Sequence, residues 1–201
     1  MSSADERRQL WDARYAADQR LWSGRVNPVL ATEAATFTPG RALDAGCGEG
    51  GDAMWLAERG WSVTAIDVST VAVERARREW TSRGDRVGTA TFTRRDLTEW
   101  VPPARGFALV SAQYLHVEPA IREVVYRRLA DAVAPGGVLL MVLHDRADLA
   151  LDIPRPPETT MLSADELRAY ADGFDSVTVE KRPRSALGSG LVHDVVLVAR
   201  R

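Results

Sequence analysis

A chain of 201 residues, 45% apolar and 27% charged, can close one hydrophobic core without staples and has the composition of an ordinary globular domain, so one domain is expected. A formal net charge of −2 gives no global attraction to nucleic acid or anionic membrane, and no apolar run approaches the length of a membrane span. The lone Cys47 excludes an internal disulfide or thiolate cluster, so no metal site is expected; with a charged N-terminus lacking a secretory pattern, the expected location is the cytoplasm.

In chain order, "ADERRQLWDARYAADQRLW" and "PVLATEAATF" read as two helices joined by the turn "SGRVN". "RALDA" reads as a strand, "GDAMWLAER" as a helix closed by Gly60, and "WSVTAID" as a strand with period two at Trp61, Val63 and Ala65. Ser69 caps a helix whose Ala72, Ala76 and Trp80 share a face. "VGTATFT" and "FALVSA" are the third and fourth strands, and Pro119 opens a helix striped by Ile121, Val125 and Leu129. "APGG" turns the chain into "VLLMVL", an uninterrupted apolar run that suits a strand buried on both faces. The Pro-rich loop 152–160 follows; Ser163 and Glu166 form a capping box, and "FDSVTVEKR" and "LVHDVVLVAR" should pair antiparallel across "SALGSG". Strand alternating with helix argues for an α/β fold, a doubly wound and mostly parallel seven-stranded sheet with a C-terminal antiparallel strand. Residues 1–38 form a helical N-terminal cover and residues 39–201 the Rossmann-like core of a single domain.

Open sheets of this kind bind ligands beyond the carboxyl ends of their strands. Polar residues stand there: Asp44 ends the first strand, Asp67 the second, Asp96 follows the third, Gln113 and Tyr114 the fourth, and His144 with Asp145 ends the fifth. The loop Asp44-x-Gly46-x-Gly48-x-Gly50-Gly51 lets the backbone approach a ligand closely. Gly46, Gly48 and Gly50 alternate strictly, and Asp44 would repel pyrophosphate but suits ammonium and sulfonium charge. Asp67 is placed for ribose hydroxyls, a role shared by NAD and S-adenosylmethionine sites.

"LDAGCGEG", "VTAIDVS", "RRDL", "FALVSAQYLHV" and "VAPGGVLLMV", in this order, resemble the successive motifs of class I S-adenosylmethionine-dependent methyltransferases. "WDARY", "LHD" and "SADELRAY" resemble the tellurite-resistance and thiopurine methyltransferase-like branch, which implies small-molecule acceptors. The resemblance implies that Gly46, Gly48 and Gly50 line the methionine moiety, Asp67 binds ribose, Val68 packs on adenine, and Asp96 with the Leu97 backbone meets the adenine amine. It sets Gln113 and Tyr114 near the transferable methyl, and Arg14 and Tyr15 in a helix folded over the cofactor, Arg14 meeting the methionine carboxylate, with Trp11 and Trp22 on the same side. The fourth strand ends in "SAQYLH", not in the Asn/Asp-Pro-Pro-Tyr of amino-group methylators of DNA and protein.

Cys47 is small enough for close packing, Glu49 favours a helix N-terminus, and His193 is structural. His116 is either a general base or an ordinary hydrogen-bonded histidine, and His144 is the better base candidate because its strand end faces the crevice. The loop 145–160, with Arg146 and Arg155, reads as a substrate cover. The expected function is methyl transfer from S-adenosylmethionine to an O, N, S or chalcogen nucleophile of a small molecule, by a monomer or homodimer without nucleic-acid or membrane partners. The alternatives are a non-catalytic S-adenosylmethionine-binding sensor or interaction module and an NAD-dependent oxidoreductase.

Overall fold

The computed structural model describes residues 2–84, 86–146, 148, 156–186 and 190–201. Helices α1 (Ala4–Ala17) and α2 (Pro28–Ala34) precede β1 (Arg41–Ala45), α3 (Gly51–Ala57), β2 (Ser62–Asp67), α4 (Thr70–Ser82) and β3 (Thr89–Arg94). Then come β4 (Phe107–Gln113), α5 (Pro119–Asp131), β5 (Val133–His144), α6 (Ala164–Arg168), β6 (Ser176–Ala186) and β7 (Gly190–Arg200).

Local chemistry sets most boundaries. The Ser69 hydroxyl accepts the Ala72 amide and starts α4, which buries Ala72, Ala76 and Trp80. Pro119 occupies the first turn of α5, where a missing amide costs nothing, and Ile121, Val125 and Leu129 are buried. Ser163 and Glu166 cap α6 reciprocally, seating Leu167 in the core. In β5, Leu139, Met141 and Leu143 pack with Val125, Leu129 and Leu167, while Val138, Leu140 and Val142 pack with Leu56 and Val73 on the opposite face. A strand covered on both faces needs an apolar residue at every position, which is why this run lacks alternation.

The sheet order is β3-β2-β1-β4-β5-β7-β6. Pairing is parallel from β3 through β5, and β7 lies antiparallel to both β5 and β6. The chain adds β2 and β3 on one side of β1 and then crosses to β4 on the other. That reversal opens the crevice above the carboxyl ends of β1 and β4, the expected ligand position in such sheets.

Three boundaries depart from the sequence reading. The first helix stops at Ala17 instead of running to Trp22: Asp18 is extended (φ −126°, ψ 152°), and Glu49 Oε2 accepts the amides of Leu21 (3.1 Å) and Trp22 (3.3 Å). Those amides thereby gain a carboxylate partner in place of helical carbonyls. "APGG" lies inside β5 as an irregularity, where pairing jumps from Phe107 with Val133 to Leu109 with Val138. Pairing of the last two strands continues to Ala186 with Gly190, into the stretch read as the turn "SALGSG"; residues 187–189 lie outside the described residues. Among the described residues no helix is long and apolar enough to cross a membrane.

Candidate active site

The loop after β1 folds over the end of β2, with the amides of Gly46 and Cys47 both donating to the Ile66 carbonyl at 2.9 Å. Gly46, Gly48 and Gly50 all have positive φ, at 74°, 52° and 85°. At Gly50 an added Cβ would stand 2.7 Å from Phe92 Cε1 and 3.0 Å from Ala76 Cβ, so core packing as well as backbone conformation demands glycine. At Gly48 the added atom would lie 2.8 Å from the Tyr15 hydroxyl, which shows how closely α1 covers the loop.

Buried acids surround this loop. Asp67 accepts the Gly48 amide on Oδ2 (2.9 Å) and the Ser69 amide on Oδ1 (2.8 Å), tying the loop to the start of α4; each oxygen keeps a second acceptor site. Burial pushes its carboxyl above the usual range despite those bonds. Asp44 is 2% exposed, and its Oδ2 has no hydrogen-bond partner among the described residues. Burial, then the neighbouring Asp52 and Asp67, hold Asp44 well above the ordinary carboxylate range. Asp52, which accepts the Asn27 amide at 2.6 Å, is also raised by burial. A buried acid with an unsatisfied oxygen is complementary to a cationic hydrogen-bond donor, and this is the feature that fits an ammonium-bearing ligand. The Cys47 thiol is pushed up by burial, then by Asp44 and Asp67, and so keeps its proton; its role is packing.

Helix α1 is docked largely through polar contacts. Tyr15 is buried against the loop and accepts a bond from Trp22 Nε1 at 3.0 Å. Asp12 Oδ1 accepts the Ser69 hydroxyl (2.7 Å) and the Val71 amide (3.1 Å), a second cap on α4. Arg7 reaches Asp96 Oδ2 through Nε (3.0 Å) and Nη2 (2.9 Å), and Nη2 also donates to the Thr98 hydroxyl at 2.6 Å. Asp96 takes the Thr98 amide and hydroxyl as well, each at 2.7 Å. Burial raises its pKa, but the Thr98 bonds and Arg7 outweigh that and hold the carboxyl below the usual range. Arg14, expected at the methionine carboxylate, is instead exposed, its guanidinium 4.9 Å above the Trp11 ring. The helical periodicity that turns Tyr15 inward turns Arg14 outward, and the arginine of α1 that reaches a strand end is Arg7. Arg7 and Asp12 were missed although they lie on the face of Tyr15 at helical spacing. Glu49, read as a helix-terminus charge, pairs with Arg75 at 3.0 Å and anchors the segment after α1. Val68 is half-buried and Leu97 buried at the adjoining strand ends.

A second cluster lies at the ends of β4, β5, β6 and β7. Gln113 donates to the Ser111 hydroxyl at 2.8 Å, and its Oε1 is buried with no partner among the described residues. Tyr114 has φ 55°, which swings its hydroxyl to Asp194 Oδ2 at 2.8 Å; burial, then Asp194, push the phenol up. The His144 ring stacks between Tyr114 (centroids 4.5 Å apart) and His116 (5.2 Å). Both His116 nitrogens are engaged by long contacts of 3.5 Å, Nδ1 with the Thr160 carbonyl and Nε2 with the His144 amide. Burial, then His144, lower its pKa to about 4. Both ring nitrogens thus face protein groups, as an ordinary hydrogen-bonded histidine would. Arg184 donates through Nε to Asp194 at 3.2 and 3.0 Å and approaches His144 Nδ1 through Nη2 at 3.1 Å. Burial raises the Asp194 pKa, but its polar surroundings, the His144 ring, the Tyr114 hydroxyl and the Arg184 charge, leave it lowered. His193 pairs with Asp148 at 3.2 Å. Arg146 lies 3.7 Å from Glu158 and 3.8 Å from Glu166, while Arg155 lies outside the described residues.

A family profile described as "Methyltransferase domain" matches residues 42–137. The chain is 26% identical over 174 residues to a probable thiol methyltransferase 2 of Arabidopsis thaliana, covering 84% of this chain and 75% of that one. It is 30% identical over 140 residues to a 2-heptyl-1-hydroxyquinolin-4(1H)-one methyltransferase of Mycobacteroides abscessus, covering 69% of this chain and 60% of that one. A protein solved in work on the conversion of a disulfide bond into a thioacetal group during echinomycin biosynthesis superposes with a TM-score of 0.74 at 28% identity, over 97% of this chain and 93% of that one. Strand order, strand-end acids and sequence kinship converge, and the chain belongs to the class I S-adenosylmethionine-dependent methyltransferases, on the thiopurine methyltransferase-like branch.

Proposed function

We propose that S-adenosylmethionine is held along the glycine loop beneath α1, and that the acceptor enters the crevice beside Gln113, Tyr114 and His144. Asp44 faces the ammonium and sulfonium charge, Asp67 takes the ribose, and Gly46, Gly48 and Gly50 keep the loop backbone clear of side chains. Val68 and Leu97 flank the adenine, and Asp96 serves that side by locking Arg7, and with it α1 and Tyr15, over the pocket. The observation that carries this reading is Asp44, an acid 2% exposed whose Oδ2 has no protein partner among the described residues.

S-adenosylmethionine supplies a methyl carbon on a sulfonium leaving group: the acceptor lone pair forms the new bond, the carbon–sulfur pair stays on sulfur, and a proton must leave only if the acceptor carries one. The protein's contribution is alignment and exclusion of water, and proximity of this kind can supply several kcal/mol, on the order of 7–11 at best. The acceptor is a small O, N, S or chalcogen nucleophile. Residues 1–38 and 39–201 act as one domain, a reading supported by the 2.7 Å pair between Glu33 of α2 and Arg182 of β6. The protein works as a monomer or homodimer in the cytoplasm without nucleic acid.

Titration calorimetry tests the site. S-adenosylmethionine and S-adenosylhomocysteine should bind and NAD should not. Asp67→Ala should abolish binding in a protein that still unfolds cooperatively, and unchanged affinity in that variant would overturn the assignment.

A further inference from the structure

The polar cluster that closes the acceptor side constrains where a proton can sit. His144 Nδ1 lies 3.1 Å from Arg184 Nη2 and 3.4 Å from Asp194 Oδ1. One ring nitrogen cannot accept from the first and donate to the second. A guanidinium has only donors and does not give up its proton, so an N–H at Nδ1 would set two donors against each other at the shorter contact. Asp194, meanwhile, does not need the imidazole: Arg184 Nε reaches both of its oxygens, at 3.2 and 3.0 Å, and the Tyr114 hydroxyl donates at 2.8 Å. Nδ1 therefore carries the lone pair and the proton resides on Nε2.

The rings of Tyr114 and His116 stack against this imidazole, and Arg184 and Asp194 occupy its Nδ1 edge. The His144 side chain is 27% exposed, and among the described residues the Nε2 edge is what remains for a ligand. The other charged group beside it, Asp145, pairs with Lys181 of β6 at 2.7 Å, and His116, lowered to about 4, adds no charge at neutral pH.

We propose that Arg184 is a positioning residue that fixes His144 as a hydrogen-bond donor through Nε2–H, so that this histidine draws no proton from the acceptor. The proposal rests on the crevice being the acceptor site. During transfer the acceptor lone pair becomes the bond to carbon, the carbon–sulfur pair stays on the cofactor sulfur, and no proton moves onto His144. The His144 N–H orients the acceptor.

Nitrogen-15 NMR of the imidazoles, with and without S-adenosylhomocysteine, reads the tautomer independently of turnover. The expected signature at neutral pH is Nε2–H for His144, switching in Arg184→Met to Nδ1–H, because Asp194 then becomes the ring's partner. Nδ1–H or an imidazolium in the unaltered protein overturns the proposal. The kinetic arm uses S-adenosylmethionine with a series of thiols of stepped acidity. The midpoint of kcat/KM against pH should move with each thiol's own pKa; one midpoint common to all thiols would mark an enzymic base and overturn the proposal. His144→Gln keeps a side-chain N–H and should retain kcat/KM within about tenfold above the thiol pKa, whereas a base role predicts a loss of about 100-fold or more. Calorimetry separately reports whether cofactor binding survives in each variant.

Discussion

Gly50→Ala separates backbone strain from packing in the cofactor loop. Residue 50 has φ 85°, a conformation that costs an alanine about 1–2 kcal/mol. The new methyl would also stand 2.7 Å from Phe92 Cε1, 3.0 Å from Ala76 Cβ and 3.0 Å from Met54 Cε. Phe92 is 3% exposed and Ala76 fully buried, so neither yields without moving β3 or α4, and overpacking of this kind adds about 1–3 kcal/mol. The sum is a destabilisation of about 2–5 kcal/mol, or a fall of about 4–20 °C in Tm for a chain of this size. Gly136→Ala is the control: φ is 74° there, but nothing lies within 4 Å of the added methyl, so only the strain of about 1–2 kcal/mol remains. Urea unfolding of both variants, with the m-value as a check on the two-state assumption, gives the comparison. Gly50→Ala no more than about 0.5 kcal/mol below Gly136→Ala would refute the claim that packing, and not φ alone, demands that glycine.

Asp44 and Asp52 are raised in the folded state, so folded protein binds their protons more tightly than unfolded chain, and their contribution falls as pH rises from the unfolded value of about 3.9 through the folded ones. Asp44→Asn should flatten that fall and raise stability at neutral pH, as read by urea unfolding across a pH series. It should also weaken S-adenosylmethionine by about tenfold or more, one charge-assisted bond being about 1.5–3 kcal/mol; loss of stability at neutral pH would contradict the reading. Arg7→Met removes the 2.9 Å pair with Asp96 and the 2.6 Å bond to Thr98, at about 1–3 kcal/mol. Faster amide exchange across residues 4–17 and a faster cofactor off-rate should follow, and unchanged exchange would show that α1 is held by other contacts. Leu140→Ala, at a fully buried position of the central sheet, should cost about 2–5 kcal/mol in urea while leaving the cofactor Kd of the folded protein unchanged.

The strand-end acids were legible because they follow short apolar runs at positions that any parallel sheet turns toward one edge. Arg7 was not, since its partner Asp96 lies 89 residues away and only the docking of α1 brings them together. Nor were Asp194 and Arg184. Asp194 meets His144 because the antiparallel register of β5 and β7 sets the two opposite each other, and Arg184 joins through the register of β6. A slip of one residue would turn Asp194 to the other face of the sheet, and no local pattern specifies that register.

Periodicity, caps and glycine spacing determined by themselves that this chain alternates strand and helix, where α4, α5 and α6 begin, which run crosses the centre of the sheet, and which acids stand at its carboxyl edge. These are short-range matters, decided by side-chain volume, hydrogen bonding within a turn and the twofold or 3.6-fold repeat of the backbone. Tertiary structure alone decided that α1 ends at Ala17, that Arg7 and not Arg14 reaches Asp96, and that Arg184 meets both Asp194 and His144. Each depends on partners distant in sequence, Glu49 for Leu21 and Trp22, Asp96 for Arg7 and Asp194 for Arg184, whose attraction acts only after packing has brought them within reach of one another.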